Sequence, residues 1–167
     1  VVTANGNGGN GIHTTGTLTI QNGSTVNVEN NACSISSRWA IPGAVYVGGV
    51  QSVIKDSTVT IQNNSGSGIY QKSDQGFLTI EDSANVTIVK NTAEKLGYGG
   101  GIYVNGIVNL ASNVVLYNNH AGAAGDDIYS VGTITFGKVG DNWNLDGAPD
   151  CEDAIDGWYH DGYYAEG

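Results

Sequence analysis

The chain contains no methionine, two cysteines and two prolines, and only six of its 167 residues are Lys or Arg. Each scarcity excludes something. Two cysteines, Cys33 and Cys151, are too few for a disulfide scaffold or a four-ligand zinc site. They can form one long-range bridge or remain thiols, and the sequence leaves both open. Six cations against 16 acids leave a net charge of -10. That disfavours nucleic acid and anionic membranes as partners, because both repel an acidic surface. No apolar run approaches the ~18 residues of a membrane-spanning helix. No signal peptide is recognisable, and patterned sequence starts at Val1. The chain therefore reads as a segment of a longer or processed protein.

What is abundant points the other way, towards strands. Twenty-six glycines, with many Asn and Thr, favour short strands joined by tight turns. The stretch 99–119, GGGIYVNGIVNLASNVVLYNN, holds three apolar alternations: Ile102-Tyr-Val104, Val108-Asn-Leu110 and Val114-Val-Leu116. Alternate residues of a strand face opposite sides, so each triplet offers two side chains to one interior. Three strands with no room for a helix between them describe one triangular coil of a β-solenoid.

The rest of the chain repeats this unit. An Ile or Val followed by an aromatic opens each coil: Ile12-His13, Val45-Tyr46, Ile69-Tyr70, Ile102-Tyr103 and Ile128-Tyr129. The openings lie 33, 24, 33 and 26 residues apart. Glycine follows four positions later at Gly16, Gly49, Gly106 and Gly132; Gly76 is the exception, seven positions after Ile69. A second apolar pair comes next: Leu18/Ile20, Leu78/Ile80, Val108/Leu110 and Ile134/Phe136, with an imperfect Gln51/Val53 in coil two. A third pair ends at Asn31, Asn64, Asn91 and Asn119. Stacked coils bring these asparagines into a corner ladder, where their amides can satisfy turn backbone and tolerate left-handed dihedrals.

The expected fold is all-β, a parallel β-helix of about five coils over residues 1–140. Residues 1–10 read as a frayed edge or the remnant of a preceding coil. Residues 141–167 hold eight acids, no Lys or Arg, and Trp143, Trp158, Tyr159, Tyr163 and Tyr164. They read as an acidic, aromatic C-terminal cap or tail, since a solenoid needs its open end covered.

The glycine-led openings Gly43-Ala-Val-Tyr46 and Gly100-Gly-Ile-Tyr103, with the apolar-x-x-Asn steps ending at Asn31, Asn64, Asn91 and Asn119, resemble repeats of bacterial surface passengers. These include polymorphic outer-membrane proteins and the right-handed parallel β-helix regions of large Gram-positive adhesins. Gly125-Asp-Asp-Ile-Tyr129, Trp143-Asn-Leu-Asp146 and Ile155-Asp-Gly-Trp-Tyr159 are similar to the way those Gram-positive segments close. The resemblance implies right-handedness and a bacterial cell-surface, extracellular location. It supplies no catalytic residues.

Three chemistries compete for these residues. The first is an aromatic face. The residue after each inward Ile or Val points outward, which lines up His13, Tyr46, Tyr70, Tyr103 and Tyr129. Loops from the asparagine corner bring Arg38, Trp39, Lys95 and Tyr98 to the same face. Aromatic rings stack on sugars and phenols add hydrogen bonds, so Arg38, Trp39, Tyr46, Tyr70, Tyr98, Tyr103 and Tyr129 are the candidate ligand-binding residues. Trp39 and Tyr103 would be stacking platforms. The alternative is that the tail covers the tyrosines or that they only brace the sheet.

The second is calcium. Asn142, Asn144, Asp146, Asp150 and Asp153, with Gly147, follow the spacing of a calcium loop. Asn at the first and third positions and Asp at the last depart from it, and a solvated acidic turn is the alternative. No other cofactor is expected. The third is hydrolysis. Asp126 and Asp127 are adjacent and point apart in an extended segment, and a glycosidase needs two carboxylates ~5–10 Å apart across one cleft. Asp74 and Asp127 could approach, but nothing demands it. His13, His120 and His160 show neither metal spacing nor a nucleophile context.

The expectation is a non-catalytic adhesin segment, monomeric within a longer chain. It would bind a host or neighbouring-cell glycan or surface protein through its loop edge and tyrosines. A structural stalk is the alternative, and a polysaccharide-degrading enzyme ranks third.

Overall fold

The computed structural model describes residues 1–32, 43–93, 97–111 and 113–136. Seventeen strands and no helix occur among these residues. Strand β1 is Val2–Asn5. Coil one follows as β2 Ile12–Thr14, β3 Thr19–Ile20 and β4 Ser24–Glu29. Coil two is β5 Gly43–Val47, β6 Gln51–Ile54 and β7 Ser57–Gln62. Coil three is β8 Ser67–Gln71, β9 Phe77–Ile80 and β10 Asn85–Val89, followed by the short β11 Thr92–Ala93. Coil four is β12 Ile102–Val104, β13 Ile107–Leu110 and β14 Val115–Tyr117, followed by β15 His120–Ala121. Coil five contributes β16 Ile128–Ser130 and β17 Thr133–Phe136.

Equivalent strands of successive coils pair in parallel. They build three five-stranded sheets, ordered β2-β5-β8-β12-β16, β3-β6-β9-β13-β17 and β1-β4-β7-β10-β14. The chain is thus a parallel β-solenoid. Residues 1–10 complete the third sheet: Val2 pairs with Val26 and Ala4 with Val28, so β1 is the last strand of a coil that precedes coil one. A fourth, narrow ladder has no counterpart in the sequence pattern. It runs from Ala32 to Ser65 to Thr92 through single bridges and on through the β11–β15 pair, just past the asparagine corner.

The interior is built from the alternation. Ile69, Ile102, Leu78, Val108, Ile61 and Ile88 are fully buried, and each lies beside its equivalent in the next coil. No coil could cover its apolar side chains alone; the neighbours above and below remove them from water.

One expectation is corrected. In coil two the inward pair is Ser52/Ile54, not Gln51/Val53. Ser52 pairs with Leu78 and Ile54 with Ile80, while Gln51 is exposed. A one-residue shift exchanges the two faces of a strand, and counting two residues on from Gly49, as in the other coils, gives the wrong register. The buried Ser52 hydroxyl is satisfied by accepting the Leu18 N–H at 3.0 Å.

The glycine corner packs backbone against backbone. A Cβ on Gly49 would lie 1.9 Å from the Gly16 carbonyl oxygen, and one on Gly132 would lie 2.0 Å from that of Gly106. Gly76 belongs to this column despite its later position, because its carbonyl accepts the Ile107 N–H at 2.9 Å. The extra residues of coil three loop out before it. Gln71, fully buried, fills the space they leave. Its Oε1 accepts from Asn105 N and Gly106 N, and its Nε2 donates to Ser73 O.

At the opposite corner the asparagines form the expected ladder. Asn64 Nδ2 donates to Asn91 Oδ1 (2.8 Å) and Val28 O (3.0 Å), and its backbone N–H also donates to Asn91 Oδ1. Asn31 and Asn91 repeat this pattern one coil down and one coil up. The left-handed turn falls one residue before the expected position. Asn30, Asn63, Lys90 and Asn118 have φ of 53–56°. The ladder asparagines are therefore held by their amides, and their predecessors carry the turn.

Candidate functional site: a stacked tyrosine face

The first sheet sets one aromatic per coil in register. His13 pairs with Tyr46, Tyr46 with Tyr70, Tyr70 with Tyr103 and Tyr103 with Tyr129. Strands ~4.8 Å apart hold outward rings at nearly their stacking distance. Centroids are 5.9 Å apart for Tyr46–Tyr70, 4.4 Å for Tyr70–Tyr103 and 5.7 Å for Tyr103–Tyr129. The planes lie within 8°, 6° and 20° of parallel, respectively. His13 leans against Tyr46 at 4.6 Å.

Tyr98 joins from the loop before coil four. A bridge between Tyr98 and Ala124 carries it to the column, where its ring meets Tyr129 at 4.6 Å and 41°. Gly99, with φ of 64°, makes this approach possible: a Cβ there would lie 2.9 Å from the Tyr103 Cα.

The structure thus brings Tyr46, Tyr70, Tyr98, Tyr103 and Tyr129 together. Their accessibility differs. Tyr46 is only 6% exposed, Tyr70, Tyr103 and Tyr129 are half-buried, and Tyr98 is 42% exposed. Because the rings lie parallel, each inner ring turns its faces to its neighbours. What the column offers outward is ring edge and hydroxyl, so Tyr103 has no open face to act as a stacking platform. Arg38, Trp39 and Lys95 lie outside the described residues, as do Cys33 and Cys151 and the calcium candidates Asn142, Asn144, Asp146, Asp150 and Asp153.

The phenols influence one another. Burial first, then the charge and hydrogen bond of Tyr103 and the charge of Tyr46, push the Tyr70 phenol up from 10.0 to about 12. Folding therefore favours protonated Tyr70. The native state holds more protons than the unfolded chain between pH 10 and about 12, and this contribution to stability is complete below pH 10 and lost as pH rises to about 12. Tyr70→Phe is expected to flatten the alkaline limb of the stability profile. Urea midpoints measured from pH 9 to 12 check this; an unchanged slope would show that Tyr70 does not carry it.

Of the carboxylates considered for hydrolysis, Asp74 is exposed, and Asp126 and Asp127 are engaged elsewhere. Asp127 is fully buried, and its Oδ1 accepts from Asn119 Nδ2 at 2.7 Å. It thereby takes the place of the next rung of the asparagine ladder. Asp126 Oδ1 accepts from Ala121 N at 2.7 Å and faces His120 Nδ1 at 3.2 Å. Among the described residues no group of three or more His, Cys, Asp or Glu could hold a metal ion. A shallow depression of about 460 Å³, lined by Glu81, Asp82, Ser83, Asn109 and Thr135 among others, lies on the second sheet, away from the tyrosines.

Two ladder members escaped sequence reasoning. Asn7 is the first rung, donating from its backbone and from Nδ2 to Asn31 Oδ1. The signal was there: Asn7 follows Ala4 at the same offset by which Asn31 follows Val28. Asp127 gave no such signal, because the equivalent position is Gly11, Ala44, Gly68 and Gly101 in the other coils. No family model, curated protein or solved structure matches the chain.

Proposed function

We propose that this solenoid is a non-catalytic recognition segment displayed on a bacterial surface. Its tyrosine column is the contact face for a glycan or surface protein of a host or neighbouring cell. The observation that carries the reading is the column itself: four in-register tyrosines and a fifth from a loop, on one rigid sheet. A row of phenol hydroxyls at coil spacing suits an extended ligand with repeated hydrogen-bonding groups. The surface location rests on the resemblance of the repeat to bacterial passenger and adhesin repeats.

The test is binding of the purified chain to a broad glycan array and to intact cells. Tyr70, Tyr103 and Tyr129 are then changed together to Phe, which removes hydroxyls and keeps the stack. Three lost hydrogen bonds at about 1 kcal/mol each predict a loss of affinity of about a hundredfold. Unchanged binding by the triple variant would refute the column as the contact face.

A second reading is favoured by one observation. The ring faces are turned on one another and Tyr46 is buried, as expected if the column braces a structural stalk. A stalk would show no saturable ligand on either the array or cells, and the triple variant would change nothing.

A further inference from the structure

The tightest aromatic contact among the described residues joins coils three and four. The Tyr70 and Tyr103 rings are 4.4 Å apart and 6° from parallel. Their strands are locked in register by Ile69 beside Ile102 and Tyr70 beside Tyr103. Register and near-parallel planes set the two rings face to face. Ring carbons of one phenol, the ortho positions among them, therefore lie against the face of the other.

We propose that Tyr70 and Tyr103 are an oxidative cross-linking site, at which the ferryl haem of a peroxidase fed by hydrogen peroxide joins the two rings by a carbon–carbon bond. Each phenol gives up one electron and its hydroxyl proton, leaving a phenoxyl radical with spin density on the ortho carbons. The two radicals pair, and the new bond forms along the stacking axis, where the half-filled π orbitals face each other. Each ring then moves its ortho hydrogen, as a proton, to its own oxygen and regains aromaticity as half of a twisted biaryl. Two hydrogens leave the protein in total, and one hydrogen peroxide becomes two waters.

The neighbours explain why this pair is selected. Tyr98, 42% exposed, is the most exposed tyrosine of the column and the first that an oxidant meets. The contact from Tyr98 to Tyr129 (4.6 Å) and the next from Tyr129 to Tyr103 (5.7 Å) relay the electron deficit inwards. Tyr98 and Tyr129 meet at 41°, so their π orbitals do not face. Tyr46 is 5.9 Å from Tyr70, too far for ready bond formation. The bond would staple coil three to coil four beside the loops, whatever the column binds.

The test treats the intact chain with horseradish peroxidase and hydrogen peroxide, isolates the monomer and digests it with trypsin. Tyr70 is the one tyrosine of the tryptic peptide 56–72, and Tyr103 lies in 96–138. The expected result is a monomer lighter by two hydrogens, with dityrosine fluorescence and peptide 56–72 linked to 96–138. Tyr103→Phe, which keeps the ring stack, should lower that link at least tenfold, and Tyr117→Phe should leave it intact. The proposal is overturned if the link survives Tyr103→Phe. It is equally overturned if peptide 56–72 stays unlinked in monomer while N-acetyltyrosine in the same reaction dimerises, or if every cross-link joins separate molecules.

Discussion

Asn91→Ala is expected to be among the most damaging single substitutions in this protein, although it removes a polar side chain. Asn91 is fully buried. Its Oδ1 accepts from both Asn64 N and Asn64 Nδ2, and its Nδ2 donates to Ile61 O and Asn119 Oδ1. Alanine leaves the Asn64 N–H, one Asn64 amide hydrogen and the Ile61 carbonyl without these partners inside the protein. At about 1–3 kcal/mol for each stranded group, the loss is about 4 kcal/mol. A chain of this size loses about 2–4 °C per kcal/mol, so the midpoint should fall by about 10 °C or more. Asn91→Asp should cost a similar amount, since a carboxylate keeps the acceptors and loses both donors. Asn27→Ala, on the outer face of β4, should change stability by no more than about 0.5 kcal/mol. Thermal unfolding followed by circular dichroism tests this. A midpoint for Asn91→Ala within about 3 °C of the parent would mean the ladder is not what holds the corner.

Gly106→Ala carries the second large expected effect, and its cause is contact rather than backbone strain. A Cβ on Gly106 would lie 2.3 Å from Ser73 O and 2.4 Å from Gly76 O. Both are backbone atoms, and Gly76 O also accepts the Ile107 N–H. Neither can yield without separating coil three from coil four. Overpacking of this kind costs about 3 kcal/mol. Gly23→Ala supplies the contrast. Gly23 has φ of 70°, and a Cβ there would meet nothing within 4 Å. Only the left-handed backbone penalises alanine at that position, by about 1–2 kcal/mol. Urea unfolding of both variants should rank Gly106→Ala well below Gly23→Ala. The reverse order would show that the corner is loose enough to admit a side chain.

These two corners explain why the architecture was legible in the sequence. A solenoid brings each residue beside its own repeat equivalent, so a period along the chain becomes a column in space. The Ile and Val openings, the glycines and the asparagines all became columns for that reason. The strand tyrosines did too, which is why Tyr46, Tyr70, Tyr103 and Tyr129 could be named from alternation alone, while Tyr98 came from a loop.

Misreadings occurred where the repeat is locally broken. Coil two offers Gln-Ser-Val-Ile where other coils offer a clean alternation, and either register puts one polar residue inside. Pairing with Leu78 and Ile80 in the next coil chose Ser52/Ile54, because Ser52 can bond to Leu18 N and Gln51 would bury an amide. Coil three carries extra residues before Gly76, and only the stacked neighbour shows that Gln71 fills the gap they create.

The sequence by itself determined the strand periods, the coil count, the main apolar, glycine, asparagine and tyrosine columns and the solenoid they build. It did so because those features depend on local alternation and on repetition. Tertiary structure decided what each column does. Ring separations and planes are set between coils, and they turned an outward tyrosine row into a closed stack that shows edges and hydroxyls. The role of Asp127 was likewise decided in three dimensions, where Asn119 reaches it across the corner at 2.7 Å. A side chain's partners across coils follow from stacking geometry, and no window of local sequence contains that geometry.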